Sequence, residues 1–333
     1  MQMIPIHEAG LCDASGADLR QAGALKANAV VFEGDRRIDF REITLADPED
    51  DDVIVDVDWS GVSTGTERLL WTGDMPPFPG MGYPLVPGYE ATGRVVWARS
   101  RKDLIGERVF VPGARCFKDA QGLFGGAASR LVAPASRVSA VHFKSPEQVS
   151  LLALAATAHH AMAGHSAPDL IIGHGALGRL LARVAIALGK NPPVVWEIDP
   201  ARSDADGYVV IDPDTDGRAD YATVYDVSGD AAIIDVATQA LAPGGEIVLA
   251  GFYAERPSFD FASAFMKEIR IRIAAEWRPD DVVAVIDLVE SGKLDLSGII
   301  SHRFTIGSAG EAYKTAFEDP ECLKMVIDWR SDQ

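Results

Sequence analysis

Two stretches of this chain bring together residues whose types and spacing could do chemistry. The first is Gly173-His174-Gly175-Ala176-Leu177-Gly178, a G-x-G-x-x-G run that follows the apolar Leu170-Ile171-Ile172 and opens a helix-period stretch through Leu180, Leu181, Val184, Ala185 and Leu188. In such a turn Gly173 permits the tight bend, Gly175 lets a pyrophosphate approach the backbone, and Gly178 lets the helix pack close to the strand. The first helical amides, at Ala176 and Leu177, then face the anion. Val194-Val195-Trp196 reads as a second strand and delivers Glu197, a carboxylate suited to the ribose hydroxyls of an adenosine. A dinucleotide site follows. Glu197 would repel a 2′-phosphate, so the expected cofactor is NAD, with Arg202 as the competing signal for NADP. His174, inside the loop, reads as a bystander to the phosphates. The second stretch is the polar cluster Ser63-Thr64-Gly65-Thr66-Glu67-Arg68. A Gly/Pro-rich segment from Gly73 to Gly88 follows it and cannot form a long helix, so the cluster borders a loop-rich region suited to a cleft.

Composition limits what these groups can serve. A chain of 333 residues exceeds what one core usually supports, and two domains are expected. With 31 Lys plus Arg against 49 Asp plus Glu the formal charge is −18, which disfavours nucleic-acid partners and anionic membrane surfaces. The acidic run at Asp47 and Glu49 to Asp52 reads as a solvated loop, because adjacent carboxylates rarely converge on one ion. Cys12, Cys116 and Cys322 lie far apart, as in a reduced cytoplasm. No basic-then-apolar leader opens the chain, and no stretch approaches the roughly 18 apolar residues of a membrane span. A soluble, cytoplasmic protein is expected.

The elements that must position the two stretches are of different kinds. Residues 1 to 25 carry little periodicity and read as a partly ordered leader. Strand patterns then recur at Ala29–Phe32, Ile38–Ile43, Val53–Trp59, Tyr89–Trp97, Glu107–Pro112 and Ser129–Val132, with Gly34-Asp35 marking a hairpin turn. A compact β barrel or sandwich is expected there. Ser145-Pro146 starts a helical region, and Leu151 to Met162 is a buried helix leading into the glycine loop. After Asp199 the usual second crossover helix is hard to find. Alternation resumes with strands at Tyr208–Ile211, Ala222–Val227, Glu246–Ala250 and Arg270–Ala274, and helices at Ala231 to Leu241 and Asp280 to Glu290. The fold class is therefore α/β: a β-rich domain over 1–150 and a doubly wound parallel sheet over 151–294. Two short elements in 295–333 are expected to pack back onto the first domain.

In this order of elements the chain resembles the medium-chain dehydrogenase/reductase superfamily. The resemblance rests on Ser60-Gly61-Val62 with Gly65-Thr66-Glu67, Val86-Pro87-Gly88-Tyr89-Glu90, Gly106-Glu107-Arg108-Val109, the 173–178 glycines, Pro243-Gly244-Gly245 and Ser291-Gly292-Lys293-Leu294-Asp295. It implies a GroES-like β-rich catalytic domain beside a Rossmann-type domain. More narrowly, Trp59 to Trp71, Met75 to Glu90 and Phe110 to Phe117 resemble the 3-hydroxyethyl bacteriochlorophyllide a dehydrogenase family of bacteriochlorophyll synthesis, a zinc-free branch of that superfamily.

The resemblance implies oxidation of a hydroxyethyl group to acetyl on a Mg-tetrapyrrole, with a nicotinamide as hydride acceptor. Zinc members hold their catalytic ion with Cys, His and Cys. Here Ser63 and Thr64 stand at the first position, Tyr89 at the second and Ala153 near the last, and hydroxyls and a methyl are poor substitutes for soft ligands. No metal is expected. Thr66 matches the residue that relays the alcohol proton in the zinc enzymes, and Tyr89 could donate a hydrogen bond to the oxygen, helped by Ser63 and Thr64. Glu67 and Glu90 are expected to orient neighbours. Thr157 and one of His159 and His160, on the helix before the glycine loop, are candidates for the nicotinamide end, against the alternative that they cap or pack that helix. Met75, Phe78, Met81 and Tyr83 could offer an apolar face to a flat macrocycle, and Arg68, Arg115 or Arg130 could meet its propionate. Two other readings stay open, a zinc-independent quinone or enone reductase and a non-catalytic dinucleotide-binding regulator. The oligomeric state is open as well, a homodimer included.

Overall fold

The protein is described by a computed structural model covering residues 11–13, 15–20, 23–77 and 79–330. The amino-terminal half is β-rich, with strands β1 (Lys26–Gly34), β2 (Arg37–Thr44) and β3 (Asp52–Val62), helix α1 (Thr66–Thr72), and strands β4 (Leu85–Val86), β5 (Ala91–Ala98), β6 (Arg108–Val111), β7 (Gln121–Gly122), β8 (Arg130–Pro134) and β9 (Ser139–Ala140). Then follow helix α2 (Leu152–Met162), strand β10 (Leu170–Ile172), helix α3 (Ala176–Ala187), and strands β11 (Val194–Trp196), β12 (Val209–Ile211) and β13 (Tyr221–Asp226). Helix α4 (Ile233–Ala240), strand β14 (Leu241–Leu249), helix α5 (Phe261–Lys267), strand β15 (Arg270–Ile273) and helix α6 (Pro279–Glu290) complete that half, and the chain ends with β16 (His302–Thr305), α7 (Ala309–Glu318) and β17 (Met325–Asp328).

The hairpin expected at Gly34-Asp35 forms between β1 and β2. Strand β3 is the spine of the β-rich half. Its near-continuous apolar run is buried on both faces, and it pairs antiparallel with β5, β8 and β17 in a seven-stranded sheet. A four-stranded sheet, β2-β1-β4-β7, closes over it. Pairing of β17 with β3 joins residues near the carboxyl terminus to the strand that leads straight into the hydroxyl cluster. The tail carries three elements where two were expected. Of the segment expected to be a partly ordered leader, Leu11, Leu19 and Leu25 are buried in the core of the β-rich half, while residues 1–10, 14, 21 and 22 lie outside the described part.

The second half is a six-stranded parallel sheet in the order β12-β11-β10-β13-β14-β15, the doubly wound arrangement, with its switch point beside β10. The missing second crossover helix is real: between β11 and β12 only a 3-10 turn at Pro200–Arg202 forms. Gly178 shows why the fingerprint glycine is needed, since a Cβ there would stand 1.9 Å from the Gly173 carbonyl oxygen. Gly173 itself has φ +99°. The small side chains of α2 let it pack between α3 and α6, burying Ala155, Ala156, Ala158 and Ala161 completely. No helix among the described residues is long and apolar enough to cross a membrane.

Candidate active site

Between the two halves lies a cavity of about 780 Å³. The β-rich half lends it Thr66, Met75, Tyr89 and Phe110, and the parallel sheet lends it the carboxyl ends of β14 and β15, from Leu249 to Phe252 and from Ile273 to Trp277. Leu177 in the glycine loop and Thr157 on α2 also reach it. A crevice outside the carboxyl ends of parallel strands is where open α/β sheets bind their ligands.

At the wall formed by β3 and α1 the hydroxyls converge. Ser63 Oγ accepts the backbone N–H of Thr66 at 3.3 Å, so it caps the first turn of α1 and turns the Thr66 side chain to the cavity. The Tyr89 hydroxyl donates to the same Ser63 Oγ at 3.0 Å. Burial pushes the Tyr89 phenol far above its ordinary range, with the neighbouring Glu90 adding to the effect. Tyr89 therefore stays protonated at any working pH and serves as a donor, not as a base. Thr64 does not join them: it is half-buried and off the cavity wall.

Beneath this surface is a layer of buried charge. Glu67 Oε1 accepts the backbone N–H of Ser63 at 2.9 Å, which fixes the start of the cluster. Its carboxyl is fully buried, and burial raises its pKa to about 8. Glu90 is buried too, and its carboxylate receives the ammonium of Lys324, which is 1 % exposed. Tyr313 on α7 faces Glu67 from the other side. Both Lys324 and Tyr313 come from the tail, so the floor under Ser63 and Tyr89 is complete only when the tail has docked. Glu67 thus holds the Ser63 amide, and Glu90 holds the Lys324 ammonium.

At the glycine loop the geometry fits a dinucleotide. A Cβ on Gly175 would meet nothing within 4 Å, so the backbone there is open to an approaching phosphate beside the amino terminus of α3. Glu197 Oε2 accepts the N–H of His174 at 2.9 Å, and Oε1 accepts those of Ile198 at 2.9 Å and Asp199 at 3.0 Å. With three of roughly four lone-pair sites filled, one is left for a ribose hydroxyl. Arg202 is committed elsewhere, donating to the Pro320 carbonyl at 2.6 Å. His174 is buried, bonded through Nε2 to the Tyr208 hydroxyl at 2.8 Å and through Nδ1 to the Arg202 carbonyl, which holds the loop against the 200–208 segment. It is a structural residue.

Several expectations need correction. His159 and His160 do not reach the cavity. Their Nδ1 atoms bond the two oxygens of Asp281, at 2.7 and 2.8 Å, and Asp281 also accepts the Arg278 N–H at the head of α6, so the pair locks α2 to α6. Thr157 lines the cavity but spends its hydroxyl on the Ala153 carbonyl at 2.9 Å, as helical threonines do. Of the apolar face, only Met75 lines the cavity. Met81 and Tyr83 pack on the β-rich core, with the Tyr83 hydroxyl on the Leu70 carbonyl at 2.5 Å, and Phe78 lies outside the described residues. Arg68, Arg115 and Arg130 are off the cavity wall, and Arg130 is paired with Asp56.

The aromatic wall comes instead from Phe110, Phe124, Tyr253 and Trp277, and Tyr89 packs edge-on against Phe124 with centroids 5.3 Å apart. Arg137 lines the cavity as well and was not anticipated. Trp277 and Arg137 sit in loops without periodicity, and nothing in their spacing points to a site. Cys116 is buried, with its thiol pushed up to about 12, a packing residue and not a ligand. Ala153, at the remaining ligand position, is wholly buried in α2.

Residues 49–143 match the alcohol dehydrogenase GroES-like domain family. The chain is 55% identical, over 92% of its length and 99% of the relative's, to the 2-desacetyl-2-hydroxyethyl bacteriochlorophyllide A dehydrogenase of Cereibacter sphaeroides. The chain belongs to that dehydrogenase family. Among solved structures, a zinc-binding dehydrogenase from Sinorhizobium meliloti bound to NADP shares the fold at TM-score 0.77 and 18% identity, covering 91% of this chain and 99% of that one. An Escherichia coli alcohol dehydrogenase complexed with NADH superimposes equally well, at TM-score 0.77 and 18% identity over 91% of this chain and 99% of its own. These two likenesses concern the fold alone.

Proposed function

We propose that this protein oxidises the 3-(1-hydroxyethyl) group of a (bacterio)chlorophyllide to 3-acetyl, with NAD as hydride acceptor. The observation that carries the reading is the combination of 55% identity across the chain with a cavity whose reacting wall is made of hydroxyls. Bound NAD supplies the electrophilic carbon that takes the hydride, leaving a ketone, NADH and a proton. The residues that would hold it are Gly173, Gly175, Ala176, Leu177 and Gly178 at the phosphates and Glu197 at the ribose, with Thr157 beside the nicotinamide end. The Glu197 carboxylate and the commitment of Arg202 to Pro320 favour NAD over NADP.

The chain's own residues then have defined tasks. Tyr89, held protonated by burial, has a single O–H, which rests on Ser63 Oγ and would turn to the developing alkoxide as that oxygen gains charge, a donation worth most in a water-poor site. Ser63 anchors the Tyr89 hydroxyl and accepts the Thr66 amide, fixing both donors. Thr66 passes the alcohol proton outward, since a hydroxyl can give one proton while receiving another. Phe124 and Trp277 stack against the flat macrocycle, with Phe110 buried behind them. Thr64 and His159 are left out of the chemistry.

The domain division 1–150, 151–294 and 295–333 is supported by the pairing of β17 with β3 and by the separate parallel sheet. Three free cysteines suit a cytoplasmic setting. A homodimer is part of the proposal: edge strand β15 leaves Ile271 and Ile273 exposed beside Phe261, Phe265 and Met266, an apolar edge for a second copy, and light scattering measures it. The activity is tested by offering purified protein the hydroxyethyl pigment with NAD and, in parallel, simple enones with NADH. Preferential reduction of enones would replace this reading with the reductase.

A further inference from the structure

Arg137 closes the short 3-10 turn Ala135–Arg137 after β8, and its side chain is exposed at the wall of the cavity, flanked by Ser136 and Ser139, which line it too. It has no hydrogen-bond or ion-pair partner among the described residues. Other arginines of the β-rich half are neutralised by carboxylates, Arg108 by Asp58 and Arg130 by Asp56, whereas Arg137 is the arginine that lines the cavity and it is left unpaired. The other charged side chain on the cavity wall, Glu276, does not pair with Arg137. An unpaired guanidinium beside a cavity with an aromatic wall is a receptor for a planar anion attached to an apolar body, because its fork of N–H donors matches the two oxygens of a carboxylate.

We infer that Arg137, assisted by the Ser136 and Ser139 hydroxyls, binds the free propionate carboxylate of the tetrapyrrole and thereby selects the acid over its ester. This rests on the substrate class proposed above. The macrocycle lies on the aromatic wall, and the ion pair at the rim sets which edge of the ring turns toward Thr66 and Tyr89. Arg137 is a specificity residue and has no part in hydride or proton transfer.

The test compares the pigment acid with its propionate methyl ester, using the wild type, Arg137→Gln and Arg137→Lys. The wild type should show a KM about tenfold lower for the acid than for the ester, a factor typical of one charge-assisted contact near solvent. Arg137→Gln should lose that discrimination by raising KM for the acid only, with the KM for NAD and the ester kinetics unchanged. Arg137→Lys should recover part of it. Equal KM values for acid and ester in the wild type, or a variant that keeps the discrimination, overturn the inference. So does a rise in the KM for NAD with both pigments, which assigns Arg137 to the cofactor. If the wild type turns over neither pigment, the substrate reading has failed and not the role of Arg137 alone. Because the side chain is exposed, neither variant should disturb folding, which thermal unfolding checks.

Discussion

The Tyr89 hydroxyl stands 3.0 Å from Ser63 Oγ, so the two positions at which the superfamily resemblance implies zinc ligands are here joined by a hydrogen bond between hydroxyls. This pair needs no ion to hold its geometry.

Tyr89→Phe should keep the fold and the aromatic contact with Phe124 but lose the donor. Turnover should fall by about 10²-fold with little change in KM for NAD, the usual cost of removing one oxyanion donor. Pre-steady-state NADH formation would show whether the hydride step is the one slowed. Unchanged turnover would remove Tyr89 from the mechanism.

Thr66→Val is nearly isosteric and removes the proposed proton carrier. A loss of about 10²-fold in kcat is expected, consistent with the usual contribution of general acid–base groups. A variant at full rate would pass the task to another hydroxyl.

Protein purified without chelator should contain no stoichiometric zinc, and dialysis against a chelator should leave its activity intact, because Ser63, Tyr89 and Ala153 offer no soft ligand set. Among the described residues no group of three or more His, Cys, Asp or Glu side chains could hold a metal ion. Elemental analysis giving one zinc per chain would contradict this.

The buried Glu67 gives stability a definite pH dependence. Its folded pKa is raised from 4.5 to about 8, so between those values the folded state binds more protons than the unfolded one, and unfolding free energy falls as pH rises through that window. Glu67→Gln removes the titration. Relative to the wild type it should gain stability from pH 5 to pH 8, by roughly 1–4 kcal/mol given the shift and its coupling to Glu90 and Lys324. Parallel denaturant curves at several pH values measure it, and a pH-independent difference between the two proteins would refute it.

How much of this was legible in the sequence depends on where the signal is stored. The glycine loop, Glu197 and the hydroxyl cluster were readable because turn chemistry and anion binding are local, and Gly173, Gly178 and Glu197 act within a few residues of their partners. The absence of a crossover helix after Asp199 was readable for the same reason. Helix α5 was not, because Phe261, Phe265 and Met266 point outward and leave no buried stripe to detect. Nor was α1, whose start is set by Ser63 capping the Thr66 amide inside what looks like a loop. His159 was drawn toward the cofactor by its place in the chain, yet its direction is decided by Asp281, 122 residues away. Lys324 under Glu90 is a longer case still, joined across 234 residues by the docking of the tail. Arg137 and Trp277 were hidden because a loop residue becomes part of a wall only when both halves are in place.

Anaerobic incubation of the purified protein with 3-hydroxyethyl bacteriochlorophyllide or chlorophyllide and NAD, following NADH and the pigment's red absorption band together, tests the proposed oxidation most directly. Both should change in step, with one NADH formed per acetyl pigment. NADH without a pigment shift, or no NADH at all, would contradict it.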